Sequence, residues 1–312
     1  MYRRVPLPSS TPDPLSVYRR LTPRDRLLLS WLSEHYLLST DQIHRALFTA
    51  RRTAQMRLTI LHRLQVVHRF AFAAADGGPE TSYLYTLGPV GLRRHPQAYA
   101  DPDNLGLKAP RSSTERAERI VNSRRLNHLL GVNQFFVDLH ARARTSDGTA
   151  LLRWWSEQHA TAVHNRAKIF PDGHGIWHAD GATVGFFLEH DRGTEDLARV
   201  VRKLRGYERL ARYGPRLPVL LWVPNERRET SLLRILHGVP TLMPVATAVH
   251  SDDPAGPVWA LTSDPFRRRH LHELPNDPGP DGYPDPSGAE PDDDLGDDFD
   301  DGSFDEDELT DT

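Results

Sequence analysis

Pro171-Asp172-Gly173, then Phe186-Phe187-Leu188-Glu189-His190-Asp191-Arg192-Gly193-Thr194, then Lys203-Leu204-Arg205-Gly206-Tyr207 is the stretch whose reading decides the fold. Asp180-Gly181 between the first two pieces is a two-residue hairpin turn, so Gly175 to His178 and Thr183 to Glu189 read as paired strands. On a strand Glu189 and Asp191 fall on one face, because side chains alternate with a period of two. Asp172, at the start of the partner strand, can converge on that face. Thr194-Glu195-Asp196 starts a helix that carries Lys203 and Tyr207, four apart and so on one side of it. Three carboxylates with a lysine nearby suit Mg²⁺, or Mn²⁺ as a substitute, held against a phosphate. The competing reading is a turn tripeptide beside a surface ladder of ion pairs.

Outward from this stretch the pattern continues. Leu151 to Ser156 reads as a strand, Leu217 to Val223 as a buried apolar strand, and Glu226 to Leu236 as a helix. Leu242 to Val249 and Val258 to Leu261 follow as strands. Strand, hairpin, helix, strand, helix, strand predicts a small α/β sheet flanked by helices over 114–272. Thr114 to Arg144 is helical in pattern, with Gly131 as the position where it breaks or bends.

The first third reads differently. Thr22-Pro23-Arg24-Asp25 and Ser39-Thr40-Asp41 are helix starts. A third helix from about Arg52 carries Ala54, Leu58, Leu61 and Leu64 on one arc and Arg52, Gln55, Thr59, His62 and Arg63 on the other. Val66 to Phe72 and Ser82 to Leu87 then form a hairpin around Gly77-Gly78. Three helices and a two-stranded wing over 21–92 predict a winged helix-turn-helix, giving an α+β chain overall. Six arginines and no acidic residue occur between Gln42 and Ala75. Arg51, Arg52, Gln55, Thr59, His62, Arg63 and the wing residue Arg69 are therefore the candidate contacts to double-stranded DNA. A winged helix used for protein contacts is the alternative. Residues 1–20 read as a flexible arm and 93–113, broken by Pro96, Pro102 and Pro110, as a linker.

Charge separates body from tail. Residues 275–312 hold 13 Asp and 3 Glu with no Lys or Arg, so the net −3 of the whole chain leaves +13 on residues 1–274. A basic body favours polyanionic partners. The acidic segment, 273–312, reads as a disordered tail that either shields the basic surface or serves solubility. The chain has no cysteine, which excludes disulfides, thiolate metal sites and a cysteine nucleophile. No Gly-x-x-x-x-Gly-Lys-Ser/Thr segment is present, which argues against an ATPase. No apolar leader or long apolar stretch occurs, so no membrane partner and a cytoplasmic location are expected. His174, His178 and His190 could suggest zinc, but 16 histidines make chance proximity the better account. His270-Leu271-His272 has the spacing of a relaxase histidine pair without a supporting strand pattern.

With these residues in view, the chain from about Leu21 to Asp264 resembles the replication-relaxation family of bacterial plasmids and integrative elements. The resemblance rests on the winged helix, Trp154-Trp155-Ser156-Glu157, Pro171-Asp172-Gly173, Glu189-His190-Asp191-Arg192-Gly193-Thr194-Glu195 and Lys203 to Tyr207. It implies a role in plasmid replication, relaxation or mobilisation, with other replication or mobilisation proteins as partners. It also implies a restriction-endonuclease-like second domain with a Pro-Asp…Asp/Glu-x-Lys pattern, in which Asp172 and Glu189 are metal ligands. Asp191 stands where that pattern has lysine, and Lys203 on the next helix is the residue placed to replace it. The reading is then a metal-dependent nuclease or nickase acting at an origin. Its alternative is a non-catalytic DNA-binding accessory factor or transcriptional regulator with a degenerate nuclease fold.

Overall fold

The computed structural model describes residues 2–10, 12–72, 82–99, 110–193, 196–251, 253–280 and 282–283. Helices and strands are both abundant, as an α/β chain requires. In order they are β1 (Tyr2–Arg4), α1 (Pro14–Arg19), α2 (Pro23–Glu34), β2 (Leu38–Ser39), α3 (Thr40–Leu47), α4 (Arg51–Arg63), β3 (Val67–Phe72), β4 (Tyr83–Leu87) and α5 (Pro89–Arg94). There follow α6 (Ser113–Val121), α7 (Leu126–Ala143), β5 (Ala150–Ser156), α8 (Glu157–Val163), β6 (Gly173–Ala179) and β7 (Ala182–His190). The series ends with α9 (Leu197–Tyr213), β8 (Val219–Val223), α10 (Glu226–Leu236), β9 (Val245–Val249), β10 (Trp259–Leu261) and β11 (Asp264–Arg269).

The predicted helix starts form as the sequence dictates. Thr22 and Asp25 make a reciprocal capping box with Pro23 inside it, and Ser39 and Gln42 make another. Ala54, Leu58 and Leu61 of α4 are buried against α2 and α3. Asp25, 1% exposed, also accepts Arg57 Nε at 3.0 Å, which ties the start of α2 to the middle of α4. β3 and β4 pair antiparallel, with β2 beside β4. The Gly77-Gly78 turn lies outside the described residues.

The arm is not loose. β1 pairs with β3 in the register Tyr2↔Phe72, Arg3↔Ala71 and Arg4↔Phe70, giving the sheet order β1-β3-β4-β2. An edge strand with unpaired amides is a template for any extended segment, and here the chain supplies its own. Residues 6–10 continue along the end of α4, where His62 Nε2 meets the Pro6 carbonyl at 3.1 Å and Gln65 Nε2 donates to those of Pro8 and Ser10.

The expected linker is partly structured too. α5 follows β4 directly, and α6 completes the first half of the molecule. Arg116, 1% exposed, donates to Thr86 Oγ1 at 2.8 Å and to the Ala98 carbonyl, while Ala117, Ile120 and Val121 pack with Phe70 and Leu84. The long helical pattern breaks at residues 122–125, not at Gly131, which lies within α7. Residues 100–109 lie outside the described residues.

The second half is a mixed sheet of order β11-β10-β9-β8-β7-β6-β5 among the described residues. β5, β6 and β7 form an antiparallel meander, and Asp180 (φ 51°) with Gly181 (φ 74°) makes the predicted turn. β7, β8 and β9 are parallel, with α9 and α10 as the crossovers. β11 was not evident in the sequence. Phe135, Phe136 and Leu139 of α7 pack on the sheet with Phe186, Trp222 and Trp259. The opposite side of α7 is fastened to the N-terminal half. Asn133 Nδ2 donates to the Leu37 carbonyl at 2.7 Å, Gln42 Nε2 to that of Leu130 at 2.8 Å, and Arg144 Nη1 to that of Ala46 at 2.8 Å. The ordered body reaches past residue 273: Leu274 is buried and Asp277 exchanges backbone hydrogen bonds with Arg216. The rest of the acidic tail, 284–312, lies outside the described residues. No helix among the described residues is long and apolar enough to cross a membrane.

Candidate active site and nucleic-acid interface

Asp172 sits one residue before β6, where its amide donates to the Leu188 carbonyl at 2.9 Å. That bond brings its side chain beside the end of β7, and Oδ2 accepts the His190 amide at 2.7 Å. Its Oδ1 lies 3.0 Å from His128 Nε2 on α7. Burial works against the Asp172 charge, but His128, Lys203 and the His190 amide outweigh it and hold the carboxyl below its usual range. His128 shifts upward in turn, the charge of Asp172 overcoming burial.

Glu189 is 4% exposed. Its Oε2 accepts Lys203 Nζ at 2.7 Å and its Oε1 the Tyr207 hydroxyl at 2.6 Å, so successive turns of α9 grip both oxygens. Burial, reinforced by the charge of Asp172, pushes the Glu189 carboxyl up to about 7 against the pull of Lys203 and Tyr207. Burial and the same Glu189 push the Tyr207 phenol well above its ordinary value. Asp172, Glu189 and Lys203 are thus brought together as the sequence suggests.

Asp191 is not. β7 ends at His190, and Asp191 turns towards α10, where Oδ2 accepts Arg228 Nε at 2.6 Å and Oδ1 the Gly193 amide at 2.7 Å. Its amide still donates to the Trp222 carbonyl at 2.9 Å and it lines the same groove as Glu189, but Arg228 and the turn at Gly193 (φ 75°) occupy its carboxylate. Among the described residues no three His, Cys, Asp or Glu side chains are grouped to hold a metal ion. Two carboxylates still suit Mg²⁺, which takes few protein ligands and completes its shell with water and phosphate oxygens. Burial is the larger cause of the raised Glu189 pKa, and such a cation would relieve the repulsion from Asp172 that adds to it.

A groove of about 800 Å³ opens over these carboxylates. Arg124, Arg125, Lys168, Arg192, Arg199, Arg202, Arg205 and Arg209 line it with Lys203. Arg199, Arg202, Arg205 and Arg209 recur along α9 at helical spacing on the side away from its buried Val200, Leu204, Tyr207 and Ala211. That periodicity was readable in the sequence and identifies the groove wall; His128 and Arg228, from separate helices, left no such signal. His190 lies beneath, its ring 4.7 Å from His250 and 5.5 Å from His128, with its pKa pushed down to about 4 by burial and these neighbours. His174 and His178 are occupied elsewhere, by the Phe186 carbonyl and the Thr183 hydroxyl.

On α4, Arg51, Arg52, Gln55 and Arg63 are exposed. Arg51 pairs with Asp41 at 2.9 Å. His62 is a correction: it is 4% exposed, with Nδ1 at 3.2 Å from the Val67 carbonyl and Nε2 against Pro6. The arm that the sequence reads as flexible supplies, at Pro6, a carbonyl that meets His62. Thr59 is half-buried and donates to the Gln55 carbonyl, and Arg69 stacks over Tyr83 at 4.6 Å. Arg45 and Arg57 are spent on Asp138 and Asp25. The sequence-predicted side chains of α4 that stay exposed are therefore Arg51, Arg52, Gln55 and Arg63; the first three lie in its N-terminal part, the part that reaches bases in helix-turn-helix proteins, and Arg63 at its C-terminal end.

No curated protein and no solved structure matches the chain. A family model described as replication-relaxation matches residues 29–219, from within α2 to the start of β8, taking in α3, α4, β3 and β4 with Asp172, Glu189 and Lys203. With well over half of its length matched, the chain belongs to the replication-relaxation family.

Proposed function

We propose that this replication protein binds double-stranded DNA through α4 and the β3–β4 wing and cuts a DNA strand at Asp172 and Glu189. The observation that carries the reading is the row of arginines and lysines converging on two buried carboxylates, a combination suited to a phosphodiester. Asp172 and Glu189 would hold Mg²⁺, which supplies an activated water and neutralises phosphoryl charge. Tyr207 and Lys203 fix the orientation of Glu189. Lys203, with its side chain 34% exposed, also offers positive charge to a phosphate lying in the groove. His128 Nε2 lies 3.0 Å from Asp172 Oδ1, and the upward shift of its pKa beside that carboxylate favours the ionised form of Asp172.

The engagement of Asp191 by Arg228 favours a second reading, a DNA-binding accessory factor or regulator that keeps the nuclease-like cluster as structure. Incubation of supercoiled plasmid with Mg²⁺ or Mn²⁺ separates the two. Cutting gives open circles that vanish with Asp172→Asn and Glu189→Gln and decline with Lys203→Ala. The same cations raise the melting temperature of the unaltered protein and not of Glu189→Gln. Plasmid topology and melting both indifferent to metal would leave the accessory reading.

A further inference from the structure

Phe170 has no packing role to explain it. Its side chain is 59% exposed, although it stands immediately before the Pro171-Asp172 turn that sets the candidate active site. It lines the basic groove and also a second cavity, of about 230 Å³, that lies on the other side of Asp172. The two spaces share Arg125, His128, Glu157, Phe170 and Asp172, so they meet at the carboxylate. Arg125 and Glu157 form an ion pair at this junction.

The second cavity has a different chemistry from the groove. Tyr36, Leu129 and Val132 give it apolar walls, and Gln158, Thr161 and Asn165 give it polar positions. The Thr161 hydroxyl is buried and has no hydrogen-bond partner among the described residues. The polar side chains open to a ligand here are Gln158 and Asn165, both exposed, and set against apolar walls they suit a ligand with a flat face and hydrogen-bonding edges. A nucleobase has both a flat face and such edges, while a phosphate suits the cationic groove instead.

We propose that this cavity seats one unstacked nucleobase of single-stranded DNA, with Phe170 as the ring on which that base stacks. A strand whose phosphates follow the groove past Lys203 carries its base to the cavity mouth at Asp172. In an intact duplex the base is paired and stacked, and withdrawing it costs a few kcal/mol. In a melted or single-stranded segment the base is available, and stacking on an aromatic side chain is sequence-tolerant because every base has a face to offer. The substrate of the site is then the opened strand, while α4 and the wing hold adjoining duplex. The inference rests on the DNA-binding reading above but is independent of cleavage.

The test is fluorescence anisotropy of the full chain with a labelled single-stranded 20-mer and with the matching duplex, in EDTA so that no cutting intervenes. Phe170→Ala is expected to weaken single-strand binding about tenfold, the loss of one base stack, and to leave duplex binding unchanged. Phe170→Tyr keeps the ring and retains the affinity. Tyr213→Ala, a 95% exposed aromatic that lines neither space, serves as the control and changes nothing. A single abasic position moved along the oligonucleotide weakens binding at one place in the unaltered protein and at none in Phe170→Ala. Equal single-strand affinity for Phe170→Ala and the unaltered protein overturns the base-seat assignment alone. Failure of the unaltered chain to bind either DNA overturns the DNA reading with it, and loss of nicking in Asp172→Asn reports on cleavage separately.

Discussion

Gly131 lies in the interior of α7, where alanine ordinarily stabilises a helix by about 1 kcal/mol over glycine. Here the sign should reverse. A Cβ built on Gly131 falls 2.5 Å from both Cε1 and Nε2 of His190. That ring has little room to move, because it is buried with the rings of His128 and His250 packed beside it. Overpacking of this kind costs about 1–3 kcal/mol, and a contact this short between confined groups belongs at the upper end. Gly131→Ala should therefore destabilise by about 2 kcal/mol net, read as a lower urea midpoint with an unchanged slope. Placed in a His190→Ala background, the same substitution meets no ring and should regain its helix-propensity benefit of about 1 kcal/mol. The coupling from the double-mutant cycle is thus about 3 kcal/mol. A Gly131→Ala protein more stable than its parent, or a coupling within about 0.5 kcal/mol of zero, would refute the packing argument.

Arg52→Ala and Arg63→Ala should each weaken duplex binding by about 1–3 kcal/mol if their side chains reach bases, measured by anisotropy over a salt series; unchanged affinity in both removes α4 as the reading element. Acid should unfold the protein early. Burial pushes His35 and His174 down to about 3 and His68 to about 4, from an unfolded value of 6.5. The unfolded chain therefore binds more protons below pH 6.5, so stability is lost as pH falls through this window, by about 2 kcal/mol per histidine at pH 5. Urea midpoints flat from pH 7 to pH 5 would contradict the neutral assignment. Removing residues 284–312, which carry acidic side chains and no basic ones, should raise DNA affinity most at low salt if the tail competes for the groove; equal affinity with and without it leaves only solubility as its role.

What could be read in the sequence was local. The capping boxes at Thr22 and Ser39, the apolar run of β8 and the Asp180-Gly181 turn are each specified within a few residues, and each formed where expected. Asp172, Glu189 and Lys203 were recoverable because strand pairing and helix spacing alone bring them near one another. The failures all turn on a distant partner. Arg228 from α10 takes Asp191, and the Pro6 carbonyl takes His62. Tyr2–Arg4 has no apolar alternation, and it becomes a strand only because β3 offers an open edge. β11 begins with Asp264-Pro265 and ends in three arginines, so it reads as a charged surface segment until β10 supplies its partner. The break between α6 and α7 is hidden because helical periodicity resumes within four residues.

α7 has a consequence for where a cut would fall. One of its sides is sealed to the sheet by Phe135 and Phe136, and the other is stitched to Leu37 after α2 by Asn133 and to α3 by the Leu130 carbonyl, which accepts Gln42, and by Arg144, which donates to Ala46. Glu34 reinforces the join by accepting both the amide and the hydroxyl of Ser156. A protein with a slack tether between its reading head and its blade would scatter its nicks over the stretch of DNA the tether can span. A shared, doubly clamped helix leaves no such slack, so a protein with the proposed activity would act as a ruler. On the proposed function, the spacing between a recognised sequence and the bond broken would be set by the fold, in whole base pairs of roughly 3.4 Å, and moving that sequence along the DNA should move the nick by the same number of steps.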